Sequence, residues 1–311
     1  MSDSVRDEGR HVSGFVSIVG LPNAGKSTLL NTLIGGKVAI VTDKPQTTRT
    51  LIQGIYTTEN AQVIFIDTPG IHRSDTLFNR RLMSDVRAAL EARDLLLYVA
   101  DATRRLATED AHALDMIRRS GTPAFLVLNK IDRIREKQRL LPLIEQYKAL
   151  MEFHEYFPVS ALTGDGVHDL RAAVLARMPL GPAYFPADEM TDQPERFIAA
   201  ELVREKVLQE TRQEVPHSVA VVVDQWQEEP PGLTRIAMTI FVEREGQKGI
   251  LIGSRGAMLK KIGTLARVEI EQVLGRKVFL ELFVKVRANW RENPEFLNQL
   301  SWRTTTGRDE V

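Results

Sequence analysis

An eight-residue run near the N-terminus has the composition and spacing of a phosphate-binding loop. The run GLPNAGKS, from Gly20 to Ser27, fits the pattern G-x-x-x-x-G-K-[ST] and stands between an apolar run and the helical sequence STLLNTLIG. Glycines let backbone N–H groups approach a polyphosphate, and the start of a helix adds favourable partial charge. In such a loop the Lys26 ammonium bridges the β- and γ-phosphates and the Ser27 hydroxyl ligates Mg²⁺. We therefore expect phosphate contacts from Gly20, Leu21, Pro22, Asn23, Ala24, Gly25, Lys26, Ser27 and Thr28.

A second candidate site follows the apolar run VIFI. Asp67 stands 40 residues after Ser27 and is followed by the tight turn TPG. In P-loop enzymes an Asp at this position holds Mg²⁺, usually through a water, and the glycine N–H reaches the γ-phosphate. DTPG alone is a common turn sequence, but its distance from the phosphate loop favours the functional interpretation. The expected nucleotide contacts here are Asp67, Thr68, Pro69, Gly70 and Ile71.

The polar stretch between these two sites contains QTTR, from Gln46 to Arg49, and has no apolar periodicity. One threonine there would complete the Mg²⁺ shell when the γ-phosphate is present, and we favour Thr48 over Thr47. These assignments give Ser27, Thr48 and Asp67 to the metal, and Lys26, Thr48 and Gly70 to catalysis.

The sequence NKID, from Asn129 to Asp132, follows another apolar run and predicts which base is bound. An Asp carboxylate accepts from both N1–H and the 2-amino group of guanine, whereas adenine offers neither donor. Charge-assisted hydrogen bonds of about 1.5–3 kcal/mol each make this preference steep. Lys130 can cover one face of the base and Asn129 can tie loops together, while Ser160 and Ala161 offer a backbone N–H to guanine O6. The segments together predict Mg²⁺-dependent binding of GTP and GDP.

The first half of the 311-residue chain alternates short apolar runs with amphipathic stretches. Strands are predicted at Phe15–Val19, Val63–Ile66, Leu95–Ala100, Ala124–Leu128 and Phe157–Ser160. Helices are predicted at Leu77–Ala92, Thr108–Arg119, Glu136–Leu150 and Val167–Arg177. Leu51–Tyr56 and Gln62–Ile66 are predicted to pair as a hairpin. This alternation predicts an α/β fold with a mostly parallel sheet and helices on both faces.

Four prolines, at positions 179, 182, 186 and 194, mark a predicted linker to a second domain. The elements predicted after it are helix Glu195–Arg212, strands Ser218–Trp226 and Thr234–Glu243, helix Ser254–Leu274 and strand Val278–Val286. The predicted boundaries are a polar N-terminal extension at 1–12, a P-loop domain at 13–180, the linker at 181–194, a smaller α+β domain at 195–290 and a tail at 291–311.

The second domain contains a candidate clamp for single-stranded RNA. An apolar run is followed by Gly253-Ser254-Arg255-Gly256 and a predicted helix, the form of a K-homology (KH) core, whose glycines let the main chain grip a nucleic-acid backbone. Residues 244–291 contain eleven basic and four acidic side chains, so 11 − 4 gives a net charge of +7. A solvated basic face is the plainer alternative. The expected RNA contacts are Gly253, Ser254, Arg255, Gly256, Lys260 and Lys261.

The motifs GLPNAGKST, QTTR, DTPGIH and NKID resemble those of the Era family of small bacterial GTPases, and VEREGQK with the following clamp resembles that family's KH domain. The resemblance extends from Phe15 to Trp290. It implies slow GTP hydrolysis, binding to the 3′ end of small-subunit (16S-type) ribosomal RNA, and a role in assembly of the small ribosomal subunit. Ile71 stands where Ras-like proteins have a water-orienting glutamine. Some related proteins hold K⁺ at the position of Asn23, so K⁺ joins Mg²⁺ as a candidate cofactor.

Two other functions stay open at this point. A membrane-surface signalling GTPase would use the basic domain on anionic lipid, and a pure RNA-binding module would hold nucleotide as a structural ligand. The absence of cysteine excludes disulfides and thiolate metal sites, and no apolar run is long enough to span a bilayer. We expect a cytoplasmic monomer, with weak contact to the cytoplasmic membrane face left open. His72 is a weak candidate base, and Trp290 and Trp302 could stack on bases or pack in the core.

Overall fold

A computed structural model describes residues 11–44, 46–71, 76–91, 93–211, 215 and 218–300. These residues form two compact units. The first contains the described residues within 1–39, 48–73 and 82–192, and the second contains those within 40–47, 74–81 and 193–311. Two short segments of the N-terminal half therefore belong to the second unit. His72, Trp302 and most of the predicted N-terminal extension lie outside the described residues.

The first unit is built on a six-stranded sheet, as the alternating pattern predicts. Its strands are β1 (Val12–Val19), β2 (Ile52–Thr58), β3 (Ala61–Asp67), β4 (Leu95–Asp101), β5 (Ala124–Asn129) and β6 (Glu155–Pro158). Their order is β2-β3-β1-β4-β5-β6, and every pair is parallel except the predicted hairpin β2–β3. Because parallel strands end at one edge, the turns after β1, β3, β5 and β6 come together there.

The helices that the structure describes beside this sheet are α1 (Lys26–Ile34), α2 (Leu77–Leu90), α3 (Thr108–Ser120), α4 (Leu140–Leu150) and α5 (Val167–Arg177). Apolar side chains of α3 and α4 share a buried core with Leu96, Tyr98 and Leu126 of the sheet. The predicted helix from Glu136 is shorter than expected. Residues 137–139 form a separate 3₁₀ turn, and α4 begins at Leu140, which places Pro142 in the first turn, where its missing N–H is tolerated.

The last strand of the sheet ends earlier than predicted. The sequence pattern predicts a strand at residues 157–160, but β6 ends at Pro158. The Val159 N–H donates to the carbonyl of Leu128, and the Ser160 N–H donates to the carbonyl of Asp165 in the following loop. Ser160 is therefore part of a loop at the carboxyl edge rather than part of the strand.

Residues 184–190 of the predicted linker are hydrogen-bonded to β2 and β3. The N–H groups of Tyr184 and Phe185 both donate to Oε1 of Gln62, at 2.6 and 2.9 Å. The Ile55 N–H donates to the carbonyl of Met190 at 2.9 Å. This part of the proline-rich stretch therefore packs on the first unit, and the domain boundaries stay a prediction.

The second unit has a three-stranded sheet covered by helices. Its elements are α6 (Glu195–Glu210), β7 (Ala220–Glu229), β8 (Leu233–Val242), α7 (Glu245–Ile252), α8 (Ala257–Leu274), β9 (Lys277–Val286) and α9 (Pro294–Gln299). β7 and β8 are antiparallel, and β8 and β9 are parallel. None of the helices among the described residues combines the length and the apolar composition of a membrane-spanning segment.

Helix α7 is the main element that the sequence did not predict. The apolar run before the clamp is the second half of this helix. Gly246 and Gly249 reduce its helix propensity, which hides it from a sequence pattern. Its first turn is instead stabilised by Oε1 of Gln247, which accepts from the N–H groups of Glu243 and Arg244, each at 3.0 Å.

Trp290 belongs to the core of the second unit. Its side chain is fully buried, its indole N–H donates to the carbonyl of Ser218 at 2.9 Å, and its ring packs edge-on against Phe78 and Phe296. The stacking role that we left open for Trp290 is therefore wrong, because no base can reach a buried ring.

Candidate functional site

The phosphate loop joins β1 to α1 and is held from inside by Lys26. The Lys26 side chain is buried, and its ammonium donates to the carbonyls of Gly20 and Leu21 at 3.1 and 3.0 Å. Burial lowers the pKa of Lys26 to about 8, although the charge of Asp67 opposes the shift. The ammonium is thus placed among convergent backbone groups and is short of counter-charge, which is the condition for strong attraction to a polyphosphate.

Gly25 shows why the loop requires glycine. Its φ of +94° lies in the left-handed region, and a Cβ atom built on it would lie 2.3 Å from Nδ2 of Asn129. The same amide donates to the carbonyl of Ala24 at 2.8 Å. The phosphate loop and the NKID segment are therefore in direct contact, as the sequence suggested when Asn129 was assigned to tie loops together.

Three oxygen-bearing side chains meet beside the loop. The hydroxyls of Ser27 and Thr48 donate to Oδ2 of Asp67 at 2.6 and 3.0 Å, and the two hydroxyl oxygens lie 2.8 Å apart. Oδ1 of Asp67 is buried and has no hydrogen-bond partner among the described residues. Burial raises the pKa of Asp67, while Lys26 and the two hydroxyls oppose the rise.

This donor set fits Mg²⁺. Mg²⁺ prefers oxygen ligands and is usually bound by one or two carboxylates together with substrate phosphates. The described residues contain no cluster of three or more His, Cys, Asp or Glu that could hold another kind of metal. Thr47 is directed elsewhere, since its hydroxyl donates to the carbonyl of Lys44 at 2.7 Å. The structure therefore brings Thr48, and not Thr47, to the candidate metal site.

The turn after β3 brings its glycine close to the phosphate loop. A Cβ atom on Gly70 would lie 2.8 Å from Pro22, and the Ile71 N–H donates to the carbonyl of Gly20 at 3.1 Å. The Ile71 side chain is buried in the apolar core. Thr68, also buried, donates its hydroxyl to the carbonyl of Ile18 at 2.9 Å. Ile71 therefore has a packing role and no polar group with which to orient water.

The predicted base site is assembled from two loops. Oδ1 of Asp132 accepts from the Ser160 hydroxyl at 2.7 Å, and the Asp132 side chain is otherwise exposed. The Ala161 N–H donates to Oδ1 of Asn129 at 2.9 Å. The prediction assigned a backbone N–H of Ser160 or Ala161 to guanine O6, and in this structure the Ala161 N–H has the Asn129 side chain as its acceptor. The carboxylate of Asp132 is free to accept from a base.

Sequence reasoning missed Asp101, which orients Lys130. The Lys130 ammonium donates to Oδ2 of Asp101 at 2.6 Å and to the carbonyl of Asn23 at 2.5 Å. Burial favours a higher pKa for Asp101, but hydrogen bonds from Lys130 and Thr103 outweigh it and hold the pKa below its usual value. The available signal was an acidic residue at the end of β4, in register with Asn129 at the end of β5.

The predicted clamp is an exposed turn between α7 and α8. Ser254, Arg255 and Lys260 are exposed, and Arg255 has a left-handed backbone with φ of +51°. Gly253 has a φ of +69°, and a Cβ atom on it would lie 2.8 Å from the Cβ of Met258. A substitution of Gly253 would therefore disturb the start of α8. Ser254 and Arg255, in the middle of the clamp, are exposed and can be substituted without such a clash.

Acidic neighbours reduce the free positive charge around the clamp. Of the eleven basic residues in 244–291, five form ion pairs with other described residues: Lys261 (to Glu210), Arg267 and Lys277 (to Glu271), Arg276 (to Glu195 and Glu228) and Arg291 (to Glu243). Several of these partners lie outside 244–291, so the count of +7 from the sequence overstates the charge available to phosphates.

Comparisons with known proteins match both units. A family model described as 50S ribosome-binding GTPase matches residues 15–130, and one described as KH domain matches residues 214–291. GTPase Era of Geobacter metallireducens is 51% identical over 93% of this chain and 97% of its own length. GTPase Era of Syntrophus aciditrophicus is 50% identical over 93% of this chain and 95% of its own length.

Two solved structures share the fold over nearly the whole chain. A variant of Era from Aquifex aeolicus bound to GDP·AlF₄⁻ has a TM-score of 0.90 at 40% identity, covering 93% of this chain and 99% of its own. Era in complex with MgGDPNP and nucleotides 1506–1542 of 16S ribosomal RNA has a TM-score of 0.91 at 40% identity, covering 94% and 99%. These relatives match this chain over nearly its whole length. The chain therefore belongs to the Era family of GTPases.

Proposed function

We propose that this chain couples a Mg²⁺-dependent GTPase cycle to binding of the 3′ end of small-subunit ribosomal RNA, and acts in assembly of the small ribosomal subunit in the cytoplasm. The proposed GTPase activity is best supported by the oxygen cluster of Ser27, Thr48 and Asp67 beside the phosphate loop. The proposed binding of ribosomal RNA is supported by the related Era structure that holds both MgGDPNP and 16S ribosomal RNA.

The chain's own residues have distinct roles in hydrolysis. Lys26 exchanges its two carbonyl acceptors for phosphate oxygens and stabilises the charge that develops on them. Ser27, Thr48 and Asp67 would hold Mg²⁺, and the ion would supply positive charge that offsets the charge of the bound phosphates. The Gly70 N–H binds the γ-phosphate. Because Ile71 cannot orient water, positioning by the loops provides most of the catalysis, and we expect slow turnover of about 10⁻⁴–10⁻² s⁻¹.

We propose that K⁺ assists this reaction through Asn23. Asn23 is exposed in the phosphate loop and has a left-handed backbone with φ of +62°. A monovalent cation at this point adds positive charge near the phosphates. Multiple-turnover hydrolysis should be faster in KCl than in NaCl at equal ionic strength. Equal rates in the two salts contradict the potassium proposal and leave the Mg²⁺ assignment unchanged.

The RNA half is tested by changing the exposed middle of the clamp. In the variant Ser254→Asp with Arg255→Asp the charge changes by −1 and −2, a total of −3, at a site where phosphates should lie. Both positions are exposed, and Asp tolerates the left-handed backbone at 255. We expect affinity for an RNA with the 3′-terminal sequence of 16S ribosomal RNA to fall about 10-fold or more at low salt. Filter binding measures this loss.

A matched control separates local from general charge effects. Gln138→Asp with Arg139→Asp makes the same change of −3 on an exposed 3₁₀ turn of the first unit. We expect this control to keep RNA affinity, and both variants to keep GTP affinity. Equal RNA binding by the clamp variant and wild type would exclude the clamp, and loss of flotation with anionic liposomes instead would favour the membrane-surface alternative.

A further inference from the structure

The segment just before Thr48 is built into the second unit. Ile40 lies in the buried core formed by α6, β8 and α8. The Val41 N–H donates to Oε1 of Glu205 at 2.7 Å, and the carbonyl of Val41 accepts from Gln209 at 3.3 Å. Both partners are side chains of α6, so this helix fixes the start of the segment through burial and two hydrogen bonds.

Arg204 fixes the other end of the same segment. Its guanidinium donates through Nη2 to the carbonyl of Thr47 and to Oε2 of Glu201, the latter at 2.6 Å, while Nε donates to Oε1 of Glu201 at 2.7 Å. The Arg204 side chain is only 3% exposed. Nη1 is buried and has no hydrogen-bond partner among the described residues.

A buried guanidinium stabilises a protein core less than an apolar side chain of similar volume does. Removing a charge from water is unfavourable unless hydrogen-bonding partners compensate, and apolar side chains of similar volume pack at least as well. In Arg204 one nitrogen remains uncompensated. Among the described residues, the backbone group that this guanidinium binds is the carbonyl of Thr47.

The peptide bond transmits this contact to the candidate metal site. The carbonyl of Thr47 and the N–H and Cα of Thr48 lie in one planar unit, so fixing the carbonyl fixes the direction in which the chain enters Thr48. The Thr48 hydroxyl in turn contacts Asp67 and Ser27. We propose that Arg204, which is paired with Glu201, is a positioning residue for GTP hydrolysis that holds Thr48 at the metal site. This inference rests on the proposed role of Thr48.

The test compares Arg204→Met and Arg204→Lys with Arg196→Met in the full-length protein. Met keeps length and removes every donor, whereas Lys keeps one donor and loses the fork. Arg196 is an exposed arginine on the same helix and serves as the control. We expect kcat to fall about 10-fold or more in Arg204→Met and less in Arg204→Lys, since small displacements of a positioned group are costly. Arg196→Met should match wild type.

The readout that distinguishes positioning from folding is the preference for GTP over GDP. Thr48 contributes only when the γ-phosphate is present, so Arg204→Met should bind a non-hydrolysable GTP analogue more weakly while GDP affinity is unchanged. Equal weakening for both nucleotides, or wild-type kcat in either Arg204 variant, overturns the proposal. Thr48→Ala separates the two levels: an unchanged rate there contradicts the metal assignment, whereas a lower rate with unaffected Arg204 variants contradicts only the role of Arg204.

Discussion

Replacing Asp132 with asparagine should change the base that the protein prefers. Guanine offers two donors to the Asp132 carboxylate, and each charge-assisted hydrogen bond contributes about 1.5–3 kcal/mol. Asp132→Asn should therefore weaken GTP about 100-fold or more. The amide N–H can donate to the 2-oxo group of xanthine, so xanthosine triphosphate should gain what GTP loses. Competition with a fluorescent nucleotide measures both affinities.

The structure indicates that this variant keeps its fold. Oδ1 of Asp132 accepts from the Ser160 hydroxyl, and an asparagine carbonyl can accept in the same way. Asp169→Asn is a matched control, because Asp169 is an exposed carboxylate on α5 outside the base site. We expect the control to bind GTP like wild type. If Asp132→Asn keeps its GTP affinity and gains none for xanthosine nucleotides, the base site has been assigned to the wrong residue.

Replacing Lys26 with methionine should nearly abolish hydrolysis. The Lys26 ammonium lies among the backbone groups of the phosphate loop. Deleting a positioned donor of this kind costs about 100-fold or more in kcat. Affinity for GTP should fall as well, because Lys26 also binds the ground-state phosphates. Multiple-turnover phosphate release and nucleotide titration measure the two effects.

Stability provides the control for this variant. The pKa of Lys26 is lowered to about 8 because burial disfavours the charged form, so below that pH the folded protein carries a desolvation cost that methionine lacks. We therefore expect the thermal midpoint of Lys26→Met at pH 7 to be no lower than that of wild type. Wild-type hydrolysis by the folded variant would contradict the phosphate-loop assignment.

The side chains that the structure brings together at the candidate nucleotide site lie in short local motifs, which a sequence pattern can identify. The phosphate loop, Asp67 and NKID each follow a buried strand, and the parallel order of those strands brings them to one edge. Asp101 was missed because a single acidic residue at the end of a strand forms no sequence pattern. Its role appears only when β4 and β5 are in register.

The second unit was predicted less completely because its key contacts are long-range. Helix α7 is hidden by its glycines, and the ion pair between Lys261 and Glu210 joins residues far apart in sequence. The assignment of residues 40–47 to this unit could not be predicted from a polar stretch without periodicity. The contact between Arg204 and Thr47 joins residues 157 positions apart.

Crosslinking in cells, followed by sequencing of the RNA recovered with the full-length protein, tests whether the clamp brings this GTPase to the 3′ end of small-subunit ribosomal RNA. We predict that fragments from the 3′ end of this RNA are enriched with wild type and with the Gln138→Asp, Arg139→Asp control, and are lost with Ser254→Asp, Arg255→Asp. Recovery of unrelated RNA, or equal enrichment by the clamp variant, would show that the clamp does not bind this RNA.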